Sequence, residues 1–199
     1  KGLSILLRRQ TSILSAAFVI MATIIFSQLL GLVRQRLLVS IFGASDTLGV
    51  YLVSFRLPDF LFQLIIAGAL SSAFIPIFSN YLEKGKEKDA YRVGSTFLML
   101  SSVIFLFLSI ILFIFSKEFS RLMAPGFSLE QIELMVGLMR IIIVGEFLFI
   151  IGSFLSAVLQ SYNHFFVPGI AAALYNLGII IGIFLLAPVL GIYSAAYGV

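Results

Sequence analysis

The chain has 199 residues, of which 61% are hydrophobic and 11% are charged, and its formal net charge is +4. Soluble domains carry charge on about a quarter of their residues, so this composition excludes a soluble protein. The lysines and arginines stand in short clusters between apolar runs, which is typical of membrane topology and argues against nucleic acid as a partner. Cysteine is absent and His164 is the single histidine, so no disulfide and no Cys or His metal cluster is predicted.

Apolar blocks long enough to cross a membrane, about 20 residues each, recur along the chain. The first, residues 10–33, is longer than the apolar core of a signal peptide and is predicted to be a membrane span. The last block must hold two helices, because residues 160–164 and then Pro168 interrupt it. The predicted helices lie near 11–42, 48–80, 90–116, 130–161 and 165–187, with a sixth that begins near 193, after Pro188 and Gly191.

The predicted fold is therefore all-α, a polytopic transmembrane helix bundle with about five complete helices and the start of a sixth. The chain begins with Lys1 and stops inside a further apolar stretch, so we expect it to be a fragment of a longer protein.

The orientation is predicted from the lysines and arginines of the short loops. One side of the membrane has seven of them: Lys1, Arg8, Arg9, Lys84, Lys86, Lys88 and Arg92. The other side has only Lys117 and Arg121. This asymmetry predicts a cytoplasmic N-terminus, and loop 83–92 is interpreted as a solvated loop that fixes topology rather than as a lipid or partner site.

Polar residues recur on one face of the first predicted helix. Positions three, four and seven apart share a helix face, so Ser27, Gly31 and Arg34 are predicted to form one stripe. Gln28 and Gln35 flank it. Arg36 stands two residues beyond Arg34 and points to another side, so it is predicted to be interfacial, with its long stem reaching outward.

The second predicted helix has a corresponding polar stripe, made of Arg56, Asp59, Gln63, Ala67 and Ser71. Pro58 removes a helical hydrogen bond and predicts a kink or an entry turn. Two interpretations of Arg56 and Asp59 stay open: an ion pair that stabilises the bend, or part of a binding site.

Two further patterns concern packing and pairing. In the fourth predicted helix Glu133, Gly137 and Arg140 share a face, whereas Glu146 points about 120° away from Arg140 and is expected to pair with an arginine of another helix. Small residues four apart are predicted to let helices approach closely in lipid. They are Gly68 with Ser72, and Gly178 with Gly182.

The chemistry that these residues offer is anion binding. The sequence has no glycine-rich phosphate loop after a strand, no metal-spaced set and no nucleophile–base pair, so neither enzymatic activity nor a cofactor is predicted. Arg34, Arg36, Arg56 and Arg140 outnumber Asp59 and Glu146 by two at membrane depth. Charges at that depth are costly and mark transport paths, so we predict a water-filled cavity for a substrate that carries a phosphate or diphosphate.

Eight short motifs in order resemble those of the MurJ (MviN) lipid II flippase family. The N-terminal ones are Gly31-Leu-Val-Arg34, Phe42-Gly43-Ala44, Phe55-Arg-Leu-Pro58 and Gly68-Ala-Leu-Ser-Ser-Ala-Phe-Ile-Pro76. The later ones are Ala124-Pro-Gly-Phe127, Leu138-Met-Arg140-Ile141, Leu159-Gln160 with Asn163, Phe166 and Pro168, and Leu174-Tyr-Asn-Leu-Gly-Ile-Ile-Ile-Gly182 with Gly191-Ile-Tyr193. Each motif is weak alone, but their common order and spacing identify the chain as a member of the family.

The resemblance implies a transporter of the multidrug/oligosaccharidyl-lipid/polysaccharide exporter superfamily with two lobes of similar fold, of which residues 1–199 form most of the N-terminal lobe. It implies that lipid II, the lipid-linked diphosphate saccharide precursor of peptidoglycan, is moved across the bacterial inner membrane by alternating access. Membrane lipids and cell-wall synthesis proteins are the other expected partners. The candidate substrate-binding residues are Arg34, Arg56, Asp59, Gln28, Gln35, Gln63 and Arg140.

The chain departs from the family pattern at several charged positions. Gln28 stands where the family has an arginine, Gln35 replaces an acidic residue, and Phe62-Gln63 replaces an arginine pair. Of the essential family arginines only Arg34 is clearly retained, so two alternatives stay open. They are a flippase for another undecaprenyl-diphosphate-linked oligosaccharide and a transport-inactive scaffold for cell-wall enzymes. The ordered motifs argue against a small-molecule antiporter of the same superfamily.

Overall fold

The computed structural model describes the backbone of residues 13–65, 70 and 72–199. This part of the chain contains nine helices: α1 (Ile13–Phe42), α2 (Asp46–Ser54), α3 (Arg56–Ile65), α4 (Ile75–Glu83), α5 (Glu87–Ile114), α6 (Ser116–Met123), α7 (Leu129–Ser161), α8 (Phe166–Leu190) and α9 (Tyr193–Tyr197). The same residues form no strand, and five stretches are long and apolar enough to cross a membrane. The prediction of an all-α, polytopic membrane bundle is confirmed.

The segment predicted as one helix at 48–80 is divided into α2, α3 and α4. Ser45 caps α2 by accepting a hydrogen bond from the Leu48 backbone N–H (3.3 Å). The chain then turns at Phe55, three residues before Pro58, because proline cannot donate the next helical hydrogen bond. The break expected from Pro58 therefore occurs one turn before it.

Between α3 and α4 the backbone has π-helical hydrogen bonding at Leu70 and at residues 72–74. Such widened turns are rare and occur often at functional sites. The predicted positions Ala67, Gly68 and Ser71 lie outside the described residues, as do the loop cations Lys1, Arg8 and Arg9.

The segment predicted as a helix at 90–116 ends at Ile114, and the separate helix α6 follows. The short α6 buries Ser116 and Ser120 while it exposes Lys117, Glu118 and Arg121. With one face buried and the other charged, α6 is an amphipathic helix that follows the membrane span. A search of the sequence for apolar blocks does not detect such a helix.

The long helix α7 is the centre of the bundle, because it contacts α2, α3, α4, α5, α6, α8 and α9. A capping box begins it, in which Ser128 and Gln131 satisfy each other's backbone N–H groups. Its buried face is packed against α2 and α8. The fully buried side chains of this core include Val50, Met135, Leu138, Met139, Ile142, Ile179 and Ile183.

Helix α8 approaches α9 closely at Gly178 and Gly182. A Cβ atom at Gly182 would lie 2.7 Å from the Cα of Gly198 and 2.7 Å from the carbonyl oxygen of Ser194. A Cβ atom at Gly178 would lie 2.6 Å from the Gly198 carbonyl oxygen. The prediction that Gly178 and Gly182 permit close packing is confirmed, because only glycine fits at these distances.

Residues 162–165 connect α7 to α8 in a tight turn. Asn163 adopts a positive φ of 60°, a conformation that asparagine tolerates better than most residues. Tyr162 in this turn shares a hydrogen bond with Tyr91 of α5, with an oxygen–oxygen distance of 3.0 Å. A turn this short makes α7 and α8 antiparallel neighbours.

Candidate substrate groove

The guanidinium of Arg34 lies in a groove between α1, α2, α3 and α8. The groove has a volume of about 420 Å³ on its α7 side and about 320 Å³ around Arg34. We call the smaller part the Arg34 groove; its lining is Arg34, Gln35, Leu38, Tyr51, Leu52, Phe55, Asp59 and Tyr175. Arg34 is half-buried, and its Nε–H is buried without an acceptor among the described residues. This donor is therefore unsatisfied within the described part of the chain.

The ring of Tyr175 on α8 packs against the guanidinium of Arg34. The guanidinium carbon lies 5.8 Å from the centre of the Tyr175 ring, within cation–π range. Phe149 of α7 meets the same ring edge-on, with ring centres 5.1 Å apart. The aromatic contacts position the arginine without using its hydrogen-bond donors.

The predicted stripe of Ser27, Gly31 and Arg34 faces α8. Asn176 Nδ2 donates to the Ser27 backbone oxygen (3.1 Å), and a Cβ atom at Gly31 would lie 3.7 Å from the same nitrogen. Arg34 follows one turn later against Tyr175. The three residues therefore share one face of α1, as predicted.

The larger part of the groove, the Glu146 groove, lies between α3, α7 and α8. Its lining is Asp59, Phe62, Leu70, Ile75, Glu146, Phe149, Ser153, Ser156, Ala157, Gln160, Pro168, Ala171, Ala172 and Tyr175. Asp59 and Tyr175 line both parts, so the two adjoin each other at these residues. The Asp59 carboxylate is exposed and accepts a hydrogen bond from Gln63 Nε2 at 2.8 Å.

Glu146 is the buried acid of this groove. Its side chain is 7% exposed, and Oε2 has no hydrogen-bond partner among the described residues. The expected pairing with an arginine of another helix is wrong for this part of the chain, in which no arginine forms an ion pair with Glu146. The structure thus places Asp59 in the lining of both groove parts, Arg34 only in the smaller part and Glu146 only in the larger part.

Three of the other predicted side chains lie on exposed parts of the bundle. Gln28, Arg36 and Arg56 are exposed, and none of them lines the Arg34 groove or the Glu146 groove. Among the described residues Asp59 is bonded to Gln63, and no ion pair joins it to Arg56. The predicted excess of two positive charges is not assembled in the groove, which contains Arg34 alone of the four arginines.

Arg140 lies in a separate place. Its Nε donates to Ser116 Oγ (3.1 Å), and its guanidinium carbon is 4.8 Å from the centre of the Phe113 ring. It lines a different groove, of about 640 Å³, with residues that include Val144, Tyr197 and Val199. Arg140 thus ties α7 to the junction of α5 and α6.

Sequence reasoning missed Tyr175 as a groove residue and Asn176 as the residue that binds the polar face of α1. Both stand in the apolar helix α8, and their presence in a family motif was the signal that could have found them. Residues 13–65, 70 and 72–199 contain no group of three His, Cys, Asp or Glu side chains that could bind a metal ion.

Comparison with known proteins identifies the family. A sequence profile described as "Lipid II flippase MurJ" matches residues 38–199. The "Probable lipid II flippase MurJ" of Buchnera aphidicola subsp. Acyrthosiphon pisum is 34% identical over 158 residues, which cover 78% of this chain and 31% of the relative. The "Lipid II flippase MurJ" of Thermosipho africanus is 32% identical over 174 residues, 87% of this chain and 36% of the relative.

A third relative matches a larger share of this chain. The "Probable lipid II flippase MurJ" of Aquifex aeolicus is 28% identical over 189 residues, which cover 94% of this chain and 37% of the relative. The chain spans about a third of the length of these relatives. Because the profile matches most of its residues, the chain belongs to the MurJ family of lipid II flippases.

Proposed function

We propose that this chain is most of the N-terminal lobe of a lipid II flippase and that Arg34 binds the diphosphate of the substrate. The observation that carries the proposal is the Arg34 side chain, which lines a groove of a MurJ-family membrane bundle and whose Nε–H has no acceptor among the described residues. The flippase is a transporter that moves its substrate without changing its covalent structure, so we propose no catalytic residue.

The depth of Arg34 supports this role. It stands eight residues before the end of α1, about 12 Å along the helix, within a hydrocarbon core about 30 Å thick. An arginine is retained at such depth when it faces a polar cavity or a transport path. Its planar guanidinium matches phosphate oxygens in a bidentate manner, and charge-assisted hydrogen bonds of this kind are strong.

Within the proposal, the protein resides in the bacterial inner membrane with its N-terminus in the cytoplasm. The lysine-rich loop between α4 and α5 supports this orientation. The groove opens alternately to the two sides with the help of the second lobe, while membrane lipids surround the bundle. Cell-wall synthesis proteins are the proposed partners that supply or consume the precursor.

The neutral residues near Arg34 favour a second candidate, a flippase for another undecaprenyl-diphosphate-linked oligosaccharide. Gln35 lines the Arg34 groove, and the accompanying charges are the acids Asp59 and Glu146. A headgroup with a different saccharide is compatible with this lining. The groove itself argues against a transport-inactive scaffold, which needs no polar cavity at membrane depth.

Complementation tests the proposal. The full-length parent is expressed in cells depleted of their own lipid II flippase, alongside Arg34→Ala, Arg34→Lys and the matched control Arg36→Ala. We expect rescue by the parent and by Arg36→Ala, because Arg36 is exposed and lies outside both groove parts. Arg34→Ala should fail at normal membrane levels, and Arg34→Lys should rescue weakly because ammonium lacks the planar fork.

Each outcome of the complementation has a defined meaning. Full activity of a well-inserted Arg34→Ala variant would refute the role of Arg34. Failure of a well-inserted parent would move the assignment to another lipid-linked oligosaccharide, or to the scaffold if no such lipid is moved either.

A further inference from the structure

We propose that Glu146 is a proton-binding site at the centre of the membrane and that its protonation is coupled to anion binding in the Arg34 groove. The coupling rests on the proposed function, whereas the proton site rests on the geometry of α3, α7 and α8 alone.

The first argument is the position of the carboxyl group. Glu146 lies 17 residues after the start of α7 and 15 before its end, so it stands at the middle of a membrane-spanning helix. It is 7% exposed and lines the Glu146 groove, with Oε2 unpartnered among the described residues. A buried carboxylate without a cation or donor is costly in its charged form, and binding a proton removes that cost.

The second argument is a polar route from the membrane surface to Glu146. The Glu146 groove continues along Ser153, Ser156 and Gln160 towards the end of α7. There Gln160 and Ile75 also line a surface groove of about 460 Å³, whose other residues include Ser79, Glu83, Glu87 and Asn163. Glu146 and Gln160 are about 21 Å apart along the helix. Water in this route can deliver a proton to Glu146 from the side of the lysine-rich loop, and can return it there.

The surroundings favour a proton over a metal ion. The charged or titratable side chains that face this region from the packed elements are Asp59 of α3, Tyr175 of α8, Arg34 of α1 and Tyr51 of α2. A hard metal ion needs about six oxygen ligands, and the described residues contain no cluster of three acidic or histidine side chains. A single proton needs only one carboxylate oxygen.

The coupling follows from the wall residues that the two groove parts share. Asp59 and Tyr175 line both the Arg34 groove and the Glu146 groove, so a charge on Glu146 acts on an anion bound beside Arg34. Protonation of Glu146 removes one negative charge and strengthens anion binding. By reciprocity, a bound diphosphate favours the protonated form of Glu146.

Infrared difference spectroscopy of the purified full-length protein tests the proton site directly. A protonated carboxylic acid has a carbonyl stretch separate from carboxylate bands, so a pH titration reports the acid form. We expect Glu146→Gln to remove one acid band that persists in Glu133→Gln, a matched control at an exposed position on the same helix. If the band persists in Glu146→Gln, or disappears only in Asp59→Asn, the assignment to Glu146 is refuted.

The coupling is tested by binding of a short-chain lipid II analogue at several pH values. Wild type and Glu133→Gln should bind the analogue at least about fivefold more tightly at the acidic end of the pH range than at the basic end. For one linked proton the affinity should change by at most about tenfold per pH unit. Glu146→Gln should bind tightly at every pH, because glutamine imitates the protonated acid. Equal pH dependence in all three proteins would refute the coupling. Absence of binding throughout would instead refute the proposed function, while the infrared result still decides the proton site.

Discussion

Arg34 of α1 and Tyr175 of α8 face each other across the bundle, with the guanidinium carbon 5.8 Å from the centre of the ring. The two residues belong to helices that pack along much of their length. Because the ring takes up no hydrogen-bond donor, this contact positions the arginine without occupying its N–H groups.

The first prediction concerns this contact. Tyr175→Leu should weaken binding of a lipid II analogue by about threefold to tenfold, the range of a partly buried cation–π contact. Tyr175→Phe retains the aromatic face and should bind nearly as well as wild type. Affinity is measured on the purified full-length protein. Equal losses in both variants would mean that the hydroxyl, rather than the ring, is the important group.

The second prediction assigns Arg140 to folding. Arg140→Ala removes the hydrogen bond to Ser116 and the contact with Phe113, and should lower the free energy of unfolding by about 1 kcal/mol. The amount of inserted protein should fall, while flipping per inserted molecule is kept. Arg56→Ala, at an exposed position, is the stability control. A stable Arg140→Ala variant that does not flip lipid would indicate that Arg140 contributes to substrate binding.

The third prediction concerns the packing of α8 on α9. Gly182→Ala places a methyl group 2.7 Å from two backbone atoms, which cannot move aside as a side chain would. We expect a destabilisation of about 1–3 kcal/mol, measured by thermal unfolding in detergent. Gly152→Ala on α7 is the matched control, because its added methyl group meets no atom within 4 Å. Similar unfolding of both variants would contradict the close approach.

The fourth prediction tests the orientation. Single cysteines are introduced at Glu83, the last residue of α4 next to the lysine-rich loop, and at Pro125, in the loop after α6, in a background without other cysteines. Both positions are exposed. In intact cells with a permeabilised outer membrane, a membrane-impermeant maleimide should label Pro125→Cys, and label Glu83→Cys only after the inner membrane is opened. The reverse pattern would place the N-terminus outside the cytoplasm.

The sequence predicted the membrane helices well because their signal is local. Length and apolar composition define α1, α7 and α8, and the turn at 160–164 is marked by its polar residues. Helix α6 was harder to predict because it is short and charged. The division at Phe55 was harder to predict because it depends on how the backbone accommodates Pro58.

The groove was only partly predictable. Helical spacing placed Ser27 and Arg34 on one face correctly, because both belong to one uninterrupted helix. The same rule cannot say which helix that face meets, and so it missed Tyr175. Counting charges at membrane depth also failed to separate Arg34 from Arg140, since depth does not reveal the side of the helix on which a residue finds its partner.

The four-residue turn between α7 and α8 has a mechanical consequence. Each extended residue spans at most about 3.6 Å, so residues 162–165 leave little slack for one helix to slide along the other. The short connection therefore restrains the relative height of Glu146 and Tyr175, one on each arm of this hairpin. The same two residues also face different neighbours, since Tyr175 contacts Arg34 of α1 and Glu146 lines a groove with Asp59 of α3.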